Sequence, residues 1–227
     1  MVKTSSTKSV GTVAAIDMLR FERELLADGV FPIAGVDEAG RGPLAGPVVA
    51  AAVVFPERWL REGLPEPLRR INDSKQLSAG LREELCGLLT GHPEIVFAIS
   101  EADPAHIDRI NILQATHWAM NEALQKLSRV PQHALVDGLR VKSLKYPQTP
   151  LVKGDSRSYS IAAASILAKV TRDRQMVRLD AEYPGYGFAE HKGYSTKAHL
   201  AALKRLGPTP VHRRSFAPLK GEQLGLL

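Results

Sequence analysis

Short apolar runs bounded by glycine, proline or charged residues recur along the chain, and such runs are typical of buried β-strands. The run VVAAAVVF is apolar at every position, so it predicts a strand covered on both faces. The segment that precedes it, GRGPLAGP, is too rich in glycine and proline for regular structure, and we expect it to join two antiparallel strands. The predicted strands are 33–37, 48–55, 95–100, 134–136 and 149–152.

Amphipathic or longer periodic segments alternate with these runs and predict helices. Ser78 is expected to cap one helix at its N-terminus, and Gly29 and Gly207 are expected to close two others. One long helix is predicted to break near Ile110–Asn111, and residues 56–77 are predicted to form a loop. The predicted helices are 14–29, 78–89, 104–127, 159–183 and 196–206.

This order of elements predicts an α/β fold with a mixed sheet flanked by helices. We divide the chain into a polar tail and helix over residues 1–30, a core over 31–185 and a C-terminal helical extension over 186–227. The sequence shows no internal repeats.

The composition is that of an ordinary globular protein, with 227 residues, 44% hydrophobic and 24% charged. Cys86 is the single cysteine, so no intramolecular disulfide can form, and a reducing cytoplasmic setting is predicted. Its apolar neighbours predict a buried thiol. The longest apolar run is far below the ~20 residues that span a bilayer, and no signal peptide is evident.

The net charge is +6 and the sequence pI is about 9.5. Lysine and arginine crowd three segments of the second half, 142–153, 169–178 and 192–220. A basic surface favours polyanions, because neutralising phosphates releases counterions. Charge alone leaves a nucleic-acid partner and no such partner equally open.

Four carboxylates stand at the ends of predicted strands. Asp37 and Glu38 are adjacent at the end of the first strand, and Asp137 and Asp155 follow two later ones. Neighbouring side chains of a strand diverge unless the strand ends or twists there, and nearby glycines permit that irregularity. A lone aspartate at a strand end is more often a turn or cap residue. Three such strand ends in one chain favour a shared site.

Four carboxylates in one place cannot all stay ionised without a cation. Mg²⁺ or Mn²⁺ fits oxygen ligands, and two such ions about 4 Å apart can support phosphodiester hydrolysis. The histidines are scattered, so no zinc spacing is present.

The motifs of the chain resemble ribonuclease HII, in the order that this family has them, over most of residues 33–218. They are GVDEAGRGPLAGPVVAAAV (35–53), NDSKQLS (72–78), NILQAT (111–116), VDG (136–138), LVKGDS (151–156), AAASILAKVTRDRQM (162–176), YPGYGFAEHKGYSTKAHL (183–200) and HRRSFAP (212–218).

The resemblance implies a ribonuclease H-like five-stranded sheet with a C-terminal helical extension. It implies an acidic site of Asp37, Glu38, Asp137 and Asp155 that holds Mg²⁺ or Mn²⁺. The expected reaction is hydrolysis on the 5′ side of a ribonucleotide, leaving 3′-hydroxyl and 5′-phosphate ends. The expected substrates are RNA–DNA hybrids and duplex DNA with embedded ribonucleotides, which would place the enzyme in ribonucleotide removal.

Gly40, Arg41 and Gly42 follow the first carboxylate pair, and glycines let backbone N–H groups approach a sugar closely. The resemblance favours ribonucleotide recognition there over a loop that only needs positive φ angles. Tyr194 matches the family tyrosine that senses the ribonucleotide sugar, and the alternative is a half-buried tyrosine with a satisfied hydroxyl.

Other polar residues are weaker candidates for substrate binding. Asn72, Ser74 and Lys75 could bind phosphate or only shape a turn. One helix face carries Ser165, Lys169, Arg172 and Asp173. This face could contact the substrate backbone, or Lys169 and Asp173 could only form an ion pair with each other. A basic surface, facing substrate or solvent, is predicted for His191, His212, Arg213 and Arg214.

Three alternatives stay open. A ribonuclease HIII-like, hybrid-specific enzyme would need an N-terminal substrate-binding domain, and about 30 residues precede the first strand. A non-catalytic hybrid-binding protein would lack one of the four carboxylates. An NTPase loop would need GxxxxGK[ST], which GRGPLAGP does not match. We also expect a monomer without membrane contact, and the tail GEQLGLL offers no clear replication-clamp motif.

Overall fold

A computed structural model describes residues 17–221. Its strands are β1 (Ile33–Ala39), β2 (Val48–Val54), β3 (Val96–Ala102), β4 (His133–Asp137) and β5 (Gln148–Leu151). Its helices are α1 (Arg20–Ala27), α2 (Glu57–Glu62), α3 (Ala79–Gly91), α4 (Pro104–Ile110), α5 (Ile112–Gln125), α6 (Tyr159–Glu182), α7 (Phe188–His191) and α8 (Lys197–Leu206). Two 3₁₀ turns lie at Glu66–Arg70 and Gly154–Ser156.

The five strands form one mixed sheet in the order β3-β2-β1-β4-β5. The strand β1 pairs antiparallel with β2, as expected of the short connection, and parallel with β4. The pair β2–β3 is antiparallel, and β4–β5 is parallel. The C-terminal ends of β1, β4 and β5 therefore lie side by side at one end of the sheet, and the predicted mixed sheet is confirmed.

Helices cover both faces of the sheet. Every residue of β2 is buried, as the apolar run predicts. Val49, Ala51 and Val53 pack in the cluster that contains the first half of α6, whereas Ala50 and Ala52 pack in the cluster that contains α5. Successive side chains of β2 therefore pack into two separate hydrophobic layers, one on each face of the sheet.

A close approach between β1 and α6 holds the strand against the helix. A Cβ atom on Gly35 would lie 2.0 Å from the carbonyl carbon of Ser160, so only glycine fits there. The helix begins at Ser158, whose hydroxyl accepts a hydrogen bond from Ile161 N–H. The buried carboxylate of Glu22 in turn accepts bonds from Ser158 Oγ (2.7 Å) and Ser160 N–H (3.1 Å).

The predicted break near Ile110–Asn111 is confirmed. Asn111 has φ 68°, a conformation that asparagine tolerates better than most residues. Its side chain accepts a hydrogen bond from Gln114 N–H and so caps α5.

The predicted loop over residues 56–77 is wrong in part, because it contains α2 and the first 3₁₀ turn. Pro56 occupies the N-cap of α2, and Trp59 and Leu60 are buried against the main core. The predicted helix 14–29 is shorter where it can be compared, since α1 begins at Arg20; residues 14–16 lie outside the described range.

Beyond α6, the C-terminal extension packs on the core through a cluster of its own, which includes Met176, Tyr186, Phe188 and Leu203. Cys86 is buried, as expected. Within residues 17–221 no helix combines the length and apolar character that crossing a membrane requires. The polar N-terminal residues and most of the GEQLGLL tail lie outside the described range.

Candidate active site

The end of the sheet where β1, β4 and β5 finish carries the four predicted carboxylates. Asp37 and Glu38 lie in β1, which stays in regular register with β2 through Ala39. The irregularity that the nearby glycines would permit is therefore absent from the strand at this pair. Asp37 pairs with Ala51 and so shares the α6 face, whereas Glu38 lies on the α5 face.

The other two carboxylates follow the neighbouring strands. Asp137 is the last residue of β4, and its Oδ1 accepts a hydrogen bond of 2.6 Å from Gly154 N–H. Asp155 lies in the 3₁₀ turn after β5 and is buried. The sheet thus brings one end of three strands together, as the strand-end argument predicts.

Burial and mutual repulsion raise the pKa values of three of these four carboxylates. Burial raises the pKa of Asp37 well above its usual range, and the charges of Glu38 and Asp137 raise it further. Burial raises the pKa of Asp155 to about 6, with Asp137 and Asp73 adding to the effect. The pKa of Glu38 is also raised by burial, against the opposing effect of Arg41, which forms an ion pair with it at 3.2 Å.

The donor set fits a hard divalent cation, because it consists of carboxylate oxygens whose shared charge needs compensation. Among residues 17–221, however, no three His, Cys, Asp or Glu side chains are gathered closely enough to hold a metal ion. The present partners of three carboxylates are instead Glu38 N–H, Gly154 N–H and Arg41, which bind Asp37, Asp137 and Glu38 respectively. Side-chain rotations would be needed to gather the oxygens around an ion.

Lys75 and Asp73 complete the charge distribution. Burial lowers the pKa of Lys75, but the charges of Asp37, Asp155 and Asp73 outweigh this effect and raise it. The loop before α3 therefore brings a cation to the acidic end of the sheet. Asp73 was not among the predicted site residues, although its position between Asn72 and Ser74 in the NDSK motif could have indicated that it lies near the site.

A cavity of about 280 Å³ opens beside Glu38. It contains most of the predicted substrate-binding residues, and its polar lining includes Gly40, Arg41, Gly42, Ser74, Lys75, Ser165, Lys169, Arg172 and Tyr194. Tyr194 is 47% exposed, and its ring lies over Gly42, where an added Cβ would be 3.5 Å from Cε1. Asn72 is the exception, because it lines a separate cavity with Arg69 and Tyr159.

Comparison with known proteins decides the family. The ribonuclease HII family model matches residues 34–219. A ribonuclease HII of Geobacter metallireducens is 52% identical over 88% of this chain and 90% of its own length. The chain belongs to the ribonuclease HII family. It is therefore a metal-dependent ribonuclease H, as the motifs indicated.

Solved structures agree with this assignment. The ribonuclease H2 of Pyrococcus horikoshii has a TM-score of 0.69 at 31% identity, over 82% of this chain and 94% of that chain. A ribonuclease HII from Archaeoglobus fulgidus, solved in a complex with PCNA, has a TM-score of 0.66 at 26% identity, over 81% and 94% of the two chains. A ribonuclease HIII solved with Mn²⁺ is 20% identical and shows the shared fold alone.

Within this family fold, the helix face on α6 serves two purposes. Lys169 Nζ lies 2.7 Å from Asp173 Oδ1, which confirms the ion pair that we had left open. Ser165 Oγ lies 2.9 Å from Ser74 Oγ, and the same hydroxyl is close enough to Asp37 to lower the pKa of that carboxyl. The first of these contacts connects α6 to the loop before α3, and the second connects it to the acidic site.

The predicted basic surface is wrong for two of its members, His212 and Arg213, and Arg172 of the α6 face is buried beside the cavity that it lines. His212, Arg213 and Arg172 are almost fully buried. Their polar atoms bind backbone groups or another histidine rather than solvent. Only Arg214 of the predicted set is well placed to face solvent. His191 is half-buried; its Nε2–H donates to Tyr186 O, and its Nδ1 accepts a hydrogen bond from Gly193 N–H.

Proposed function

We propose that this chain cuts the phosphodiester on the 5′ side of ribonucleotides, in RNA–DNA hybrids and in duplex DNA with embedded ribonucleotides. The products would carry 3′-hydroxyl and 5′-phosphate ends, and the setting would be ribonucleotide removal in the cytoplasm. The supporting observation is that Glu38, one of the four strand-end carboxylates, lines the same cavity as the Gly40–Gly42 loop and Tyr194.

Asp37, Glu38, Asp137 and Asp155 would hold Mg²⁺ or Mn²⁺. Two such ions, when bound, supply an activated water and stabilise the charge of the leaving oxygen. The protein's own part is to place the carboxylates on rigid strand ends. Burial of Asp37 and Asp155 keeps those side chains in place and makes their ionised state dependent on a nearby cation.

Recognition of the ribonucleotide would fall to the loop directly after β1. No acceptor is found within the described residues for the N–H groups of Arg41 and Gly42, which line the cavity. Such groups can bind a 2′-hydroxyl or a phosphate oxygen. Tyr194 stands over Gly42 at the same cavity, where its ring can pack on a sugar. Lys75 and Lys169 would contact the substrate backbone.

The test is a DNA duplex with one embedded ribonucleotide, offered with Mg²⁺, with Mn²⁺ and with chelator. We expect one metal-dependent cut 5′ to the ribonucleotide, and a hybrid substrate cut at many positions. Cleavage that survives the chelator, or that is equal on an all-DNA duplex, would contradict the proposal.

The site itself is tested by Asp37→Asn, which removes a charged ligand with little change in shape. We expect a loss of cleavage of at least 100-fold, while binding of the uncut duplex stays measurable. The matched control is Asp28→Asn, the same chemical change at an exposed residue at the end of α1. Full activity of Asp37→Asn would remove this residue from the site.

A further inference from the structure

Two arginines, Arg172 and Arg213, are buried without a carboxylate partner among the described residues. Arg172 is 1% exposed and Arg213 is 0% exposed, and in the described part of the chain neither forms an ion pair. A buried charge of this kind is costly unless its donors are satisfied. Both side chains donate hydrogen bonds to backbone carbonyls of the segment that follows β1, and Arg172 also donates to Lys192 O.

Arg213 binds both ends of that segment. Its Nη2 donates to Gly40 O (2.6 Å), its Nη1 to Arg41 O (2.9 Å) and its Nε to Gly46 O (3.0 Å). The planar guanidinium fork thus holds the two halves of the loop at a fixed separation.

Arg172 binds the far end of the segment and connects it to the turn before Tyr194. Its Nε donates to Pro47 O (3.0 Å), and its Nη2 donates to Ala45 O (3.1 Å) and Lys192 O (3.0 Å). A Cβ on Gly40 would lie 2.0 Å from Arg172 Nε, so the guanidinium group also packs directly against the loop.

These contacts decide which way the loop's amides point. In a trans peptide the C=O and the following N–H point in opposite directions. Because Gly40 O and Arg41 O both face Arg213, the N–H groups of Arg41 and Gly42 face away from it. Those two N–H groups have no acceptor among the described residues, and Arg41 and Gly42 both line the cavity.

We propose that Arg213 and Arg172 are positioning residues for ribonucleotide recognition, which aim the Arg41 and Gly42 amides into the cavity and fix Tyr194 opposite them. The inference rests on the proposed function, because it assigns the discrimination between ribose and deoxyribose to that loop. It also predicts that this discrimination depends on a residue from the C-terminal extension, 171 positions or more from the amides it orients.

The test is Arg213→Lys, which keeps the positive charge but cannot reach three carbonyls at once. Binding is measured in the uncleaving Asp37→Asn background, on a duplex with one embedded ribonucleotide and on the identical all-DNA duplex. We expect the preference for the ribonucleotide duplex to fall about tenfold, as the loss of one or two well-placed hydrogen bonds implies. Affinity for the all-DNA duplex should stay within about twofold.

Arg174→Lys is the matched control, since Arg174 lies on α6 but is exposed and pairs with Glu83. It should leave the preference unchanged. If Arg213→Lys fails to fold by circular dichroism, Arg172→Lys takes its place, with the same expected loss of preference.

The outcomes are distinct. If the parent shows no preference for the ribonucleotide duplex, the proposed function fails. If the parent has the preference and a folded Arg213→Lys or Arg172→Lys variant keeps it, or loses affinity equally for both duplexes, the positioning role is overturned.

Discussion

The contact between β1 and α6 offers the sharpest test of how the fold supports the site. An added methyl group in Gly35→Ala would lie 2.0 Å from Ser160 C, 2.2 Å from Ser160 O and 2.4 Å from Ile161 N. These are backbone atoms in the first turn of a helix, so no side chain can rotate away. To reach an ordinary contact of 3.4 Å, strand and helix must separate locally by about 1.4 Å.

Overpacking of a well-packed core usually costs about 1–3 kcal/mol. Here the added methyl group is attached to the β1 backbone and meets the α6 backbone, so we expect a cost at the upper end of that range. We therefore expect Gly35→Ala to lower the free energy of unfolding by about 3 kcal/mol. Asp37 lies two residues further on the same face of β1, near Ser165 of α6. A displacement of about 1 Å at a catalytic group can reduce the rate by about 100-fold, so activity should fall as well.

Urea unfolding followed by tryptophan fluorescence gives the stability, and cleavage of the ribonucleotide-containing duplex gives the activity. The control is Gly87→Ala on α3, where an added Cβ meets nothing within 4 Å. That change should stabilise the protein by up to about 1 kcal/mol, because alanine favours a helix. A Gly35→Ala variant that unfolds within about 0.5 kcal/mol of the parent would refute the reasoning.

Two further predictions concern pH. Burial raises the pKa of Glu22 above the value near 4.5 that it has in the unfolded chain. Because the folded state opposes ionisation of this carboxyl, the free energy of unfolding falls as pH rises from about 4.5 through the raised pKa. Glu22→Gln keeps the acceptor for Ser158 and should gain stability over the parent at pH 8 but not at pH 4; equal gains in urea unfolding at both would contradict this. Burial lowers the pKa of His212 to about 4, so its contribution is complete above pH 6.5 and is lost as pH falls towards 4. His212→Asn should therefore have a shallower loss of melting temperature between pH 7 and pH 4.5, and a parallel loss would exclude His212 as the cause.

The neutral state of His212 follows from a chain of hydrogen bonds. Thr209 N–H donates to His212 Nδ1, which leaves Nε2–H to donate to His199 Nε2 at 3.0 Å. His199 Nδ1–H then donates to Tyr194 O at 2.8 Å. A proton added to either acceptor nitrogen would break this chain, and it would do so next to the residue that we assign to sugar recognition.

The positions of Asp137 and Asp155 at strand ends could be predicted from sequence because a short apolar run comes shortly before each of them. Periodicity shows where a strand ends, and parallel neighbours bring such ends together. The run before Asp137 and the run before Asp155 were sufficient for this purpose. The regular pairing through Glu38 could not be predicted in the same way, since the glycines beyond it indicated an irregular strand and the register depends on β2.

The buried arginines and histidines could not be predicted from local pattern. Arg213 stands in the segment HRRSF, whose residue types are typical of an exposed basic surface. Its burial depends on Gly40 and Gly46, which present carbonyls from a loop far away along the chain. The separation of Asn72 from its motif neighbours could not be predicted either: Ser74 and Lys75 line the cavity beside Glu38, whereas Asn72 lines a different one.

The division into core and extension, which stays a prediction, has an unexpected consequence for the site. The four carboxylates are positioned by β1, β4 and β5. Among the described residues, none beyond α6 forms a hydrogen bond with them. The loop after β1, in contrast, is bound on one side by Arg213 and by a bridge between Ala45 and His212. The proposed catalytic and recognition groups are adjacent in sequence, yet they are held by different parts of the molecule. Weakening the extension should therefore impair the choice of substrate before it impairs the acidic site.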